Sequence, residues 1–197
     1  MRISLTDLVD IVSKSGSPKA TKVAQIKLRP DYQPAIDFYK QFRDGIIGIH
    51  KAAGARTELA KIISKVNEKN RIANYPAAIA GYKKWWGTKS LEWFQPPSKI
   101  FSRSGVDVSI NPELGLRING EPYLIKLYLK GEKLSKVRAD LIVGLMDNAL
   151  SDPAGPVTMS VLDVRSSKLF VSSGASASFL PMVEAELAYV ATLWASI

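Results

Sequence analysis

The sequence predicts an α+β protein: a helical N-terminal half packed on a mixed, mainly antiparallel sheet, with the order αβββαβ through its centre. Three observations carry that expectation. Asn119-Gly120 lies between two alternating apolar runs, the pattern of a two-residue hairpin loop. Helical apolar spacings fill the chain before Gln95 and return after Lys130. Gln95-Pro96-Pro97-Ser98 separates the helix-rich stretch from one made mostly of strands. Residues 1–94 are therefore expected as a helical region and 95–197 as an α+β region around the hairpin 106–130, either as two units or as one compact domain.

With Asn119 and Gly120 as the loop, the register runs outward: Ile118 opposite Glu121, Leu116 opposite Tyr123, Leu114 opposite Ile125 and Glu113 opposite Lys126. Side chains alternate with period 2, so Leu114, Leu116, Ile118, Tyr123, Ile125, Leu127 and Leu129 share a core face. Glu113, Gly115, Arg117, Leu124, Lys126, Tyr128 and Lys130 share the other, expected to be the polar face. A carboxylate and an ammonium become cross-strand neighbours there, either as a structural pair or as part of a site.

Upstream, Leu5 to Val12 has one apolar side, Ser4 as N-cap and Gly16 beyond its end, which predicts a short helix. Ser15 to Pro30 carries Lys19, Lys22, Lys27 and Arg29 without an acid. It is expected as a solvated connector or a basic arm, with a short edge strand from Val23 to Leu28. A helix from Pro34 to Ala53, capped by Gly54, would place His50 in its last turn as a capping or packing residue. Thr57 to Ile72 predicts another, with Leu59, Ile62, Ile63 and Val66 inward and Lys61, Lys65 and Lys69 as a basic stripe. Asn74-Tyr75-Pro76 should break it and start a further helix. That helix ends in Tyr82-Lys83-Lys84-Trp85-Trp86. Lysines interleaved with rings suit phosphates and bases, or the tryptophans pack inside while the lysines reach water.

Lys99 to Ser102 and Val106 to Ile110 predict strands, the second continuing into the hairpin to give three antiparallel strands. Ser135 to Leu150 predicts a helix with Val137, Leu141, Leu145 and Ala149 as its stripe, widened by Ile142 and Met146. Lys133, Lys136 and Arg138 crowd its positive end, an arrangement that a bound anion would relieve. Two strands, Val157 to Val164 and Lys168 to Val171, and an apolar helix from Pro181 to Trp194 follow. That last helix is either a core element or a contact for self-association.

The chain has 197 residues, 46% hydrophobic, with mean hydropathy near zero, enough for one substantial core. It has no cysteine and one histidine, which removes disulfides, thiolate zinc sites and His-rich metal sites. A metal would have to sit on carboxylates and water, as Mg²⁺ or Mn²⁺ does. No stretch is long and apolar enough for a membrane span, so a cytoplasmic protein is expected. The net charge of +9, with pI about 9.7, favours a polyanionic partner: nucleic acid, DNA ahead of RNA, or an acidic protein. There is no Walker A loop, no Gly-x-Gly-x-x-Gly, no His-Glu-x-x-His and no Gly-x-Ser-x-Gly.

From Thr57 to Val164 the expected order is helix, three antiparallel strands, helix, strand, with Pro112-Glu113 opening the second strand and Lys126 on the third. This resembles the core of the PD-(D/E)XK nuclease-like superfamily. The resemblance implies that Glu113 is a metal ligand and Lys126 the residue that positions or activates water, with Mg²⁺ or Mn²⁺ as cofactor. Two residues before Lys126, where that pattern has an acid, this chain has Leu124. Asp107, Glu58 and Asp163 are the candidates for a second carboxylate. The resulting expectation is a nucleic-acid-binding protein on a nuclease-like scaffold, degenerate or still acting as a metal-dependent phosphodiesterase. Glu113 and Lys126 are the candidate catalytic pair. Arg117, Lys130, Lys133, Lys136, Arg138, Lys83, Lys84 and Trp85 are the candidate nucleic-acid contacts. The alternative is a non-catalytic protein that docks an acidic partner or self-associates.

Overall fold

The computed structural model describes the backbone of residues 1–30, 33, 37–64, 69–152, 155–172 and 179–197, and the side chains of all these except 64 and 69–72. Strand β1 (Arg2–Ser4) leads directly into helix α1 (Leu5–Val12). Ser4 Oγ accepts from the Asp7 N–H at 3.0 Å and Asp7 Oδ2 accepts from the Ser4 N–H at 3.3 Å, a reciprocal capping box. Leu5, Leu8, Val9 and Ile11 turn inward.

The next stretch is helix α2 (Gly16–Lys27), not a connector with an edge strand. Only Val23 and Ile26 of this helix are buried, too thin a stripe to announce it. Partners distant in sequence hold it instead. Lys19 pairs with Glu186 at 2.8 Å, Lys22 with Asp10 at 3.2 Å, and Lys27 Nζ donates to the Trp194 carbonyl. Just beyond its end Arg29 pairs with Asp7 at 2.7 Å, so the basic arm is largely neutralised within the molecule.

Pro34 lies outside the described residues; helix α3 (Lys40–Lys51) starts at Lys40. It closes with Ala53 at φ 50° and a Gly54 N–H to Ile49 carbonyl bond of 2.8 Å. A 3₁₀ turn (Arg56–Ala60) and α4 (Lys61–Ser64) bury Leu59 and Ile62, while Lys65 and Val66 lie outside the described residues. Helix α5 (Lys69–Trp86) then runs through Pro76, where the sequence predicts a break. An interior proline costs about 3 kcal/mol. Tyr75, Ala78, Ile79 and Tyr82, all buried at helical spacing, offset it. Gly81 lets α5 approach the chain at Val164 closely: a Cβ there would lie 2.0 Å from the Val164 carbonyl oxygen.

Strands β2 (Leu91–Phe94), β3 (Lys99–Arg103), β4 (Val106–Ile110), β5 (Leu114–Ile118) and β6 (Glu121–Tyr128) follow, then α6 (Lys136–Leu150), β7 (Thr158–Asp163), β8 (Lys168–Val171) and α7 (Phe179–Ser196). They form two sheets, ordered β1-β4-β3 and β2-β5-β6-β7-β8. The expected run of three antiparallel strands over 106–130 is therefore divided: β4 pairs with β1 and β3, and β5 with β2 and β6. The chain crosses between sheets at Asn111-Pro112-Glu113, where the buried proline has no N–H to continue a ladder. The order αβββαβ is present as α5, β2, β5, β6, α6, β7, with the β3–β4 hairpin inserted between its first two strands. β1 and β2, both before Gln95, pair with strands after it.

One face of the larger sheet, with Leu114, Leu116, Ile118, Ile125 and Leu127, packs under α3 and α5. Alternation along the hairpin predicts a polar opposite face, but Leu124, Tyr128, Met159 and Val161 are buried there with residues of α1, α6, α7 and the smaller sheet. β6 and β7 are parallel, and the helical crossover between them covers this face. Helix α6 buries Leu141, Ile142, Leu145 and Met146, whereas Val137, placed in its expected stripe, is 74% exposed. Helix α7 turns Val183, Leu187 and Val190 into the core.

Candidate functional site

Asn119 and Gly120 both have positive φ, 51° and 95°, as a type I′ turn requires. They fix the β5–β6 register deduced from sequence, Ile118 opposite Glu121 through Leu114 opposite Ile125. Glu113 falls just before β5, where the ladder has ended. Its Oε2 accepts the Leu127 N–H at 2.7 Å, supplying the acceptor that the departing chain at Pro112 does not. Its Oε1 accepts from Lys126 Nζ at 2.7 Å. Lys126 Nζ also donates to the Asn111 carbonyl at 2.9 Å and to Asn111 Oδ1 at 3.2 Å. An ammonium has three hydrogens, so this one is saturated.

The pair lines a cleft of about 180 Å³ that also includes Asp10, Tyr39, Arg43 and Lys130. Asp10, on α1, binds both Lys130 and Lys22. Arg43 pairs with Asp37 at 2.5 Å. Asp10 is not among the sequence candidates. The one signal for it is a pair of acids a turn apart, Asp7 and Asp10, on an otherwise apolar helix.

Divalent-metal chemistry needs several anionic oxygens free to converge. Both Glu113 oxygens are engaged, and Leu124, in place of the second acid, is 2% exposed within the core. Asp107 accepts from Ser102 Oγ at 2.6 Å, and Glu58 from Lys61 and the Ala55 N–H. Asp163 is buried and accepts from the Leu134 N–H at 3.1 Å and the Ser166 N–H at 3.3 Å. Among the described residues no three His, Cys, Asp or Glu side chains are grouped as metal ligands. The donor set does not fit Mg²⁺ or Mn²⁺.

The candidate nucleic-acid contacts divide between the two ends of β6, separated by roughly 23 Å at 3.3 Å per residue. At its C-terminal end, Lys130 pairs with Asp10 and Lys136 with Asp140 at 2.6 Å. Arg138 pairs with Glu132 at 2.6 Å and donates to Ser13 Oγ at 2.7 Å. Lys133 is exposed, without an ion-pair partner among the described residues. The cations at the start of α6 are thus largely answered by acids rather than left for an anion. At the hairpin-turn end, Lys83, Lys84 and Arg117 are exposed, but Trp85 is only 4% exposed and offers no face for a base.

His50 is 4% exposed, its Nε2 2.7 Å from Tyr82 Oη and its ring beside Trp86. Burial pushes its pKa down to about 4, and pushes the Tyr82 phenol well above its usual range. It packs as a neutral ring rather than capping α3 as an imidazolium. Among the described residues no helix is long and apolar enough to cross a membrane. Comparison of the chain with protein-family models, curated proteins and solved structures gives no match.

Proposed function

We propose that this protein binds nucleic acid on a nuclease-like scaffold without cleaving it. The observation that carries the non-catalytic part is that all three Lys126 Nζ hydrogens and both Glu113 oxygens are already engaged within the protein. In a metal-dependent phosphodiesterase the carboxylate would face a metal and the lysine an attacking water. Here each donor and acceptor of the pair is directed to the protein's own backbone or side chains. Glu113 at the opening of β5 and Lys126 on β6 support the resemblance to the PD-(D/E)XK core. Leu124 supports its degeneracy.

The net charge of +9 supports a polyanionic partner, since Lys and Arg contacts to phosphates supply most sequence-independent affinity. The test is fluorescence anisotropy against labelled duplex DNA, single-stranded DNA and RNA over a salt series, with parallel cleavage assays in Mg²⁺ and Mn²⁺. Salt-sensitive binding with intact substrate is expected. Absence of binding at low salt removes the reading and leaves the acidic-protein alternative.

A further inference from the structure

The cations of this protein are not evenly answered. Across the N-terminal helices, α6 and α7, seven cations share six acids in the pairs Lys19–Glu186, Lys22–Asp10, Arg29–Asp7, Arg103–Glu184, Lys130–Asp10, Lys136–Asp140 and Arg138–Glu132. The hairpin-turn end is different. Lys51, Arg56, Lys83, Lys84, Lys89 and Arg117 gather there, and none of the six is ion-paired with an acid among the described residues.

Specific interactions bring these residues together. Lys83 and Lys84 occupy the last turn of α5. Arg56 donates to the Gly87 carbonyl and Lys89 to the Trp85 carbonyl, so both charges are fixed on the negative end of the α5 dipole. The Ser90 N–H donates to Asn119 Oδ1 and the Asn119 N–H to the Ser90 carbonyl, each at 3.0 Å, which ties this terminus to the hairpin turn. Arg117 lies two residues before Asn119, and Lys51 Nζ sits 5.5 Å from the ring centre of Trp93 on the adjoining strand. The acids on these strands are Glu92, beside Arg117 in the ladder, and Glu121.

We infer that this end of the molecule is a docking surface for the phosphate backbone of duplex DNA. The inference rests on the nucleic-acid reading above and names its surface and ligand. Single-strand binding uses exposed aromatic rings on which bases stack. Among the described residues no aromatic side chain is fully exposed, and Trp85 and Trp86 are buried while Lys83 and Lys84 are exposed. Duplex RNA recognition adds contacts to 2′-hydroxyls across the shallow groove. A surface of ammonium and guanidinium groups matches the sequence-independent electrostatics of duplex DNA.

The test compares the wild-type chain, the triple variant Lys83→Ala/Lys84→Ala/Arg117→Ala and the opposite-end variant Lys133→Ala/Lys136→Ala by anisotropy. The probes are duplex DNA, single-stranded DNA of equal length, duplex RNA and, as competitor, polyglutamate. All substituted side chains are exposed, and unchanged melting temperatures would confirm intact folding. The triple variant should bind duplex DNA at least tenfold more weakly at low salt. Its log K against log salt slope should be shallower by about 3, near 0.9 for each phosphate left unneutralised. The opposite-end variant should bind like wild type. An unaffected triple variant, or equal weakening in the opposite-end variant, overturns the location while leaving nucleic-acid binding intact. Tighter binding of single strands, duplex RNA or polyglutamate overturns the ligand. No wild-type binding to any nucleic acid removes both the surface and the reading beneath it.

Discussion

Lys126 Nζ lies 2.7 Å from Glu113 Oε1, and its other two hydrogens go to Asn111. Lys126 is on the middle strand of the larger sheet, while Asn111 to Glu113 is the segment by which the chain leaves the smaller sheet. The ion pair therefore clamps the crossing between sheets, and Glu113 also replaces a missing ladder acceptor for Leu127.

Removing one partner of such a pair strands the other charge. Glu113→Ala should destabilise the protein by about 3–5 kcal/mol, because the Lys126 side chain is only 9% exposed. Replacing both, as Glu113→Leu/Lys126→Met, should cost less than the single change. Urea unfolding of the three proteins checks this, and an unchanged midpoint for Glu113→Ala would contradict the clamp.

The engagement of Lys126 and of both Glu113 oxygens within the protein predicts an absence of hydrolysis. Duplex and single-stranded DNA incubated with the protein in Mg²⁺ or Mn²⁺ should remain intact on a denaturing gel. Cleavage that disappears in Glu113→Gln would show that the pair opens to hold a metal.

His50 gives a pH dependence of defined sign. Its folded pKa, about 4, lies below the ordinary value of 6.5, so the unfolded chain binds the proton more tightly. Stability contributed by the neutral ring is complete above pH 6.5 and falls away as pH drops toward 4, by about 3 kcal/mol in all. Thermal melts of wild type and His50→Phe over this window should converge toward acid. Parallel profiles would show that His50 does not titrate there.

Gly81→Ala should destabilise by about 3 kcal/mol, since the new methyl would meet the rigid backbone at Val164. Gly48→Ala, with open space around the site, is the control and should be neutral or slightly stabilising. Equal effects would contradict the close approach of α5.

How much of this is legible in the sequence depends on how local the cause is. Asn119-Gly120 carries its own turn geometry, so the β5–β6 register can be counted outward from two residues. Ser4 likewise announces α1 as an N-cap just before an apolar helical run, and its cap forms within one turn. Helix α2 is not legible: two buried side chains define it, and its lysines find their acids on α1 and α7, far along the chain. The division of strands at Pro112 depends on β4 finding β1, a parallel partnership that no turn signals. The polar appearance of the Lys126 face misleads because α6 covers it after the crossover. In the candidate site, the Glu113–Lys126 pairing follows from register, whereas Asp10 enters only because tertiary packing brings α1 to Lys130, just beyond β6.

Polyanion binding through unpaired charge is tested most directly by the salt dependence of wild-type binding to duplex DNA. Neutralisation of about six phosphates predicts that log K falls against log salt with a slope near −5. No binding at roughly 50 mM salt, or binding whose strength hardly changes across the series, would contradict it.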